Sequence, residues 1–309
     1  MSRRILSDAP AKLGESLKSL ISAPFARPNP IAAPVGIIDV YSQIIRESRA
    51  RKYGELPGIA LSAATTFTLN SPTALPILHH VVKEQTYLKT PEAAELIREV
   101  GLKCISFNGI PRTINCLHGL REYGEREGWW QTLEKKPTRG LTPENVESVN
   151  ERGRALWQSI YTPLDEKLYT ILGKSHPDLP VYINGAHYGP LLSDPAERGK
   201  LATVGRCLTS VVAVACLRAQ GGVGPQVLSH VYGLLKAVQQ GAHQDELEEV
   251  DAKGVERLAT DEGCEWLLDS VDMISQFMGR NFAHPIEGRI VIQQENPEDV
   301  DPQHIPSKL

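Results

Sequence analysis

His80 precedes Thr90 by ten residues, and Glu99 follows it by nine. If the flanking segments are helices folded back at that turn, a rise of 1.5 Å per residue puts both side chains about 15 Å from it, on facing helices. His230 and Glu249 stand in a similar relation to the turn at Gly241. A histidine oriented by a carboxylate is a general acid or base near neutral pH, so His80, Glu99, His230 and Glu249 form the candidate catalytic set. The same spacing also fits a buried histidine that a carboxylate satisfies and that only holds a helical hairpin together. His187 and Tyr188, between Gly185 and Gly189, are candidate substrate-binding residues at a place where glycines let backbones approach; a tight helix crossing would use the same glycines. His79 and His80 cannot be a metal pair, because adjacent helical residues point about 100° apart and ligands on one face need a spacing of three or four. His118 near Cys116 reads as packing. No cofactor is expected.

These residues need helices to hold them. Apolar periodicity is helical through most of the chain and nowhere alternates as in strands, so the fold class is all-α. Helices are expected near 36–52, 57–69, 73–87 and 91–108, the last opened by Thr90 as N-cap with Pro91 in its first turn. Another follows Gly109-Ile110-Pro111 towards Tyr123. Later ones are expected near 143–159, 164–173, 178–191, 197–219, 225–240, 243–254 and 261–279. An amphipathic helix near Ala11–Ile21 precedes Pro24, Pro28, Pro30 and Pro34, which no helix crosses intact. The expected organisation is a flexible segment over 1–34, a first helical half over 35–124, a linker over 125–141, a second half over 142–284, and an extended tail over 285–309.

The halves resemble each other. A gapless shift of 150 lays Ile77-Leu78-His79-His80-Val81 over Val227-Leu228-Ser229-His230-Val231, Ile97-Arg98-Glu99-Val100 over Leu247-Glu248-Glu249-Val250, and Ala63 over Ala213. The common spacing points to an internal repeat, each copy built on an antiparallel helical hairpin.

A net charge of -4 gives no basic excess for a phosphate backbone, so nucleic acid is not an expected partner. The longest apolar stretches, such as Cys207 to Leu217, fall short of the roughly 20 residues that span a bilayer. The five cysteines, at 104, 116, 207, 216 and 264, lack the spacing of a disulfide framework and fit a reducing compartment. Met1-Ser2-Arg3-Arg4-Ile5-Leu6 is basic enough to open a mitochondrial presequence, but Asp8 and Glu15 arrive early. Ser307-Lys308-Leu309 is the tripeptide read by the peroxisomal import receptor, so the peroxisome matrix is the expected location and that receptor an expected partner.

Gly109-Ile110-Pro111-Arg112-Thr113-Ile114-Asn115 resembles the Gly-x-Pro-x-x-x-Asn ending of the carboxymuconolactone decarboxylase and alkylhydroperoxidase D-like superfamily. Leu228-Ser229-His230-Val231-Tyr232-Gly233 after Gln220-Gly221-Gly222-Val223-Gly224-Pro225 resembles its His-bearing helix, and His176-Pro177-Asp178-Leu179 to Tyr188-Gly189 its entry segment. The order of these motifs, over roughly 57–124 and 175–250, carries the resemblance, which is nearest to duplicated fungal members with a peroxisomal ending. It implies an alkylhydroperoxidase D-like helical fold, a homo-oligomer, and either cofactor-free decarboxylation or thiol peroxidase chemistry. The Cys-x-x-Cys of the peroxidases is missing: Pro76 and Thr73 precede His80 by four and seven residues, Gln226 and Val223 precede His230, and 259–265 lacks the Gly-x-Pro segment. Three classes therefore stay open. The first is a His/Glu acid–base enzyme for a small organic acid or thioester, with Arg112 as carboxylate clamp; the second is a non-catalytic ligand carrier or scaffold; the third is a hydroperoxide reductase using a lone cysteine.

Overall fold

A computed structural model describes residues 12–279. Two helices that are apolar or small on every side form its centre. They are α3 (Leu56–Thr68) and α11 (Gly205–Gln220), and they pack on each other along their length. Almost nothing on them reaches solvent: Pro57 to Thr68 and Arg206 to Leu217 are buried. Alanines at 60, 63, 64, 213 and 215 permit the close approach. The buried hydroxyls of Thr65, Thr66 and Thr68 donate to the carbonyls of Leu61, Ser62 and Ala64, each at 2.7 Å, which satisfies most of the hydroxyls this packing buries on α3.

Around this pair lie α2 (Ile37–Ala50), α4 (Ala74–Gln85), α5 (Thr90–Lys103), the single turn α6 (Ile105–Asn108) and α7 (Ile110–Arg126). Helix α2 shows why such segments are helical: Ile37, Val40, Tyr41, Ile44, Ile45 and Ser48 form its buried face at a spacing of three and four. From the second half come α8 (Val146–Tyr161), α9 (Asp165–Ser175), α10 (Asp178–Tyr182), a π-helical run at Ile183–Leu192, α12 (Gly224–Gln239), α13 (Ala242–Glu246), α14 (Glu249–Leu258) and α15 (Asp261–Phe277). Helix α1 spans Glu15–Ile21. No strand occurs among the described residues, and the all-α expectation is borne out. One apolar core runs from Ile37 to Met278 and takes residues from both expected halves; a smaller cluster of Trp157, Ile160, Tyr188 and Leu192 sits beside it.

Several boundaries differ for local reasons. The helix expected over 91–108 breaks at Cys104, and Thr90 is the first helical residue, with no side-chain cap bond at that end. The one expected over 197–219 starts only at Gly205, whose φ is 63°, six residues after Gly199 at φ 57°. The one expected over 243–254 divides where Leu247 and Glu248 are extended. The segment 125–141 is tied to α5: Glu134 N–H donates to Glu95 at 2.6 Å, and Arg139 pairs with Glu99 at 2.7 Å. The tail from 280, with Ser307-Lys308-Leu309, and the first eleven residues lie outside the described residues.

Candidate functional site

Neither expected His–carboxylate pair forms. In the α4–α5 hairpin the helical phase turns His79 inward and leaves His80 exposed, since neighbours on a helix diverge by about 100°. His79 stacks on Trp129 at 4.6 Å between centroids, and its Nε2 lies 3.1 Å from the Thr90 carbonyl. Burial lowers its pKa. Glu99 is buried and takes both terminal nitrogens of Arg139, at 3.3 and 2.7 Å. Glu249 is exposed and pairs with Lys253 at 2.5 Å, because the break before α14 makes it the first residue of a new helix instead of a continuation facing His230. Arg112, half-buried in the first turn of α7 near Cys116, does not line the cavity described next.

The structure does bring His230, His187 and Tyr188 together, around a cavity of about 480 Å³. Its walls come from α6, α8, α9, the π-helical run and the start of α12, and Phe107, Trp157, Leu168, Leu172 and Ile183 make them largely apolar. Gly221 and Gly222, at φ 70° and 73°, turn the chain between α11 and α12, and Pro225 sits in the first turn of α12. That places His230 against the edges of Phe107 and Tyr161, with centroids 5.9 and 6.3 Å away. The wall opposite is the π-helical run. It lies so close to α8 that a Cβ on Gly153 would come within 2.6 Å of the Gly189 nitrogen, and this crossing aims His187 and Tyr188. The glycine-flanked His-Tyr pair thus sits at a tight crossing and lines a cavity. Another recess of about 470 Å³, on the far side of Trp157, is walled by exposed Arg154 and Glu166 and half-buried Asp165.

The polar groups at the cavity are neutral. Burial, assisted by the charge of Arg206, holds the His230 pKa down at about 4. Its Nδ1 has no hydrogen-bond partner among the described residues, so no protein group fixes which ring nitrogen carries the proton. His187, also lowered by burial, has Nδ1 at 3.0 Å from the Ser106 hydroxyl. The hydroxyls of Tyr161 and Tyr188 are 3.0 Å apart, and burial keeps both protonated. Behind them Arg206 is buried, donating to Ser159 Oγ at 2.8 Å, Ser210 Oγ at 2.5 Å and the Gly233 carbonyl at 2.6 Å, with no carboxylate in ion-pair range among the described residues. The site thus offers donors and a positive field to an acceptor oxygen in an apolar space.

No cysteine lines this cavity. All five cysteines are free and buried. Burial pushes Cys116 and Cys207 up to about 12, Cys264 to about 11, and Cys104 well above the ordinary thiol range. Cys104 and Cys216 lie 3.5 Å apart, sealed in the core between the halves.

Sequence reasoning missed Ser106, Phe107, Trp157, Tyr161 and Arg206. Trp157 and Tyr161 carried a readable signal, two large aromatics four apart on one helix face beside Gly153. The chain matches no protein-family model, no curated protein and no solved structure.

Proposed function

We propose that this protein binds a small, largely apolar molecule through a carbonyl or carboxyl oxygen in the cavity at His230. One observation carries the reading: His230 is buried, neutral and without a carboxylate partner, and it lines an apolar cavity. A histidine meant to work as a general base is normally oriented by a third group that fixes its tautomer. Here no such group occurs among the described residues, while the surrounding donors suit binding. Small organic acids and thioesters, the expected substrate classes, both present the required oxygen. The starts of α3 and α11, at 56 and 205, of α4 and α12, at 74 and 224, and of α7 and α15, at 110 and 261, follow the 150-residue shift. This supports reading the halves as a duplication, and with it the resemblance to the carboxymuconolactone decarboxylase and alkylhydroperoxidase D-like group.

The test is calorimetric titration of the full chain with octanoate and with benzoate. Binding is expected for at least one, weakened at least about tenfold by His230→Leu, because a hydrogen bond in a dry site is worth more than about 1 kcal/mol. It should be abolished by Ile183→Trp, which fills the cavity. Failure of both acids to bind, or equal binding by the filled variant, would remove the cavity as the site. Acid–base catalysis is the second reading, favoured by the position of the ring beside the Tyr161–Tyr188 pair; it requires turnover of the bound acid, lost in His230→Leu.

A further inference from the structure

The end of the connecting segment, the first turns of α8 and the loop after the π-helical run enclose a second cavity, of about 310 Å³. Arg139 and Arg152 line it with the hydroxyl-bearing Thr138, Ser148 and Ser193, while the one carboxylate in its lining, Glu197, is exposed. Three neighbouring cations are matched by carboxylates. Glu99 takes Arg139 end-on through both terminal nitrogens, and Asp194 takes Lys103 at 2.7 Å and Arg198 at 3.8 Å. Arg152 is half-buried and has no carboxylate in ion-pair range among the described residues; its only acceptor is the Ser148 carbonyl, 3.4 Å from Nη1. The Nε atoms of both arginines are shielded from solvent and lack acceptors among the described residues.

A guanidinium stays charged at every physiological pH, and its planar fork of donors matches the oxygens of a carboxylate or phosphate. Leaving a buried charged donor unmet costs about 1–3 kcal/mol or more, which an oxyanion held by the unpaired fork would offset. We infer that this cavity is an anion site, taking a small carboxylate or phosphate on the terminal nitrogens of Arg152, in the positive field of the neighbouring Arg139. Its volume equals that of on the order of ten water molecules, which fits an oxyanion with a short carbon chain. The site shares no lining residue with the cavity at His230, so the two can be tested separately.

Full-length protein is titrated calorimetrically with inorganic phosphate and, separately, with succinate, the ionic strength being held constant with sodium chloride. Millimolar or tighter binding of at least one anion is expected. A response to phosphate alone identifies a phosphoryl ligand, and a response to succinate alone a carboxylate. Arg152→Gln breaks no ion pair and should weaken binding at least about tenfold, the usual cost of losing a hydrogen bond to a charged group. Ser148→Leu, at an exposed position of α8, narrows the cavity and should weaken binding without touching a charge. No binding of either anion at millimolar concentration, or an affinity unchanged in both variants, overturns the assignment.

Discussion

An imidazole moved from water into an apolar pocket loses most hydration in its charged form, so burial favours the neutral ring. His230 carries this furthest, since Arg206 adds a like charge and no carboxylate opposes it. In the unfolded chain it protonates near 6.5, in the folded chain at about 4. Between those values the unfolded state binds more protons, so stability is intact above the unfolded pKa and is lost as the pH falls through the folded one. His79 and His187 are lowered by burial too and add loss in the same direction. Urea midpoints should therefore fall between pH 6.5 and pH 4, and His230→Gln should flatten the fall. The difference is expected to be a few kcal/mol at most, each pKa unit being worth about 1.4 kcal/mol. Parallel pH profiles for the two proteins would mean that His230 titrates normally.

At the scale of elements, the cavity exists because α8 and the π-helical run touch through glycine. A methyl group at Gly153 would meet the backbone of Gly189 at 2.6 and 2.7 Å, atoms that no rotamer change can move. Gly153→Ala should cost about 1–3 kcal/mol, as overpacking does, and weaken octanoate or benzoate binding by displacing His187 and Tyr188. Thermal unfolding and the same titration read both effects; a variant as stable and as tight as the parent would show that the crossing yields without cost. Gly185 and Gly189 made this contact legible, but its partner Gly153 was not, since nothing local pairs residues that far apart. Helices with a clear buried face, such as α2 and α4, were read close to their observed limits. The π-helical run was not, because Pro190 within it and an apolar pattern on all sides give no period to follow. Local spacing also misplaced the histidines. His80 and His79 differ by one position and so by about 100°, and only the packing of α4 decides which enters the core.

For the whole molecule, the central α3–α11 pair decides what the cysteines can do. Cys216 on α11 meets Cys104 at the end of α5, 112 residues earlier in the chain, a pairing that sequence spacing does not suggest. Because both thiols lie at 0% exposure, a reagent or a peroxide reaches them only when the shared core opens. The raised pKa values add a second barrier, since the thiolate is the reactive form and burial disfavours it. A hydroperoxide reductase built on this fold would need at least one accessible low-pKa cysteine. The native protein is thus expected to react negligibly with 5,5'-dithiobis(2-nitrobenzoate) at neutral pH, then to release five equivalents of thionitrobenzoate once urea unfolds it. It should not consume an organic hydroperoxide in the presence of a thiol donor. A fast-reacting native thiol, or peroxide turnover lost when the cysteines are replaced, would make thiol chemistry the function and leave the cavity at His230 to serve it.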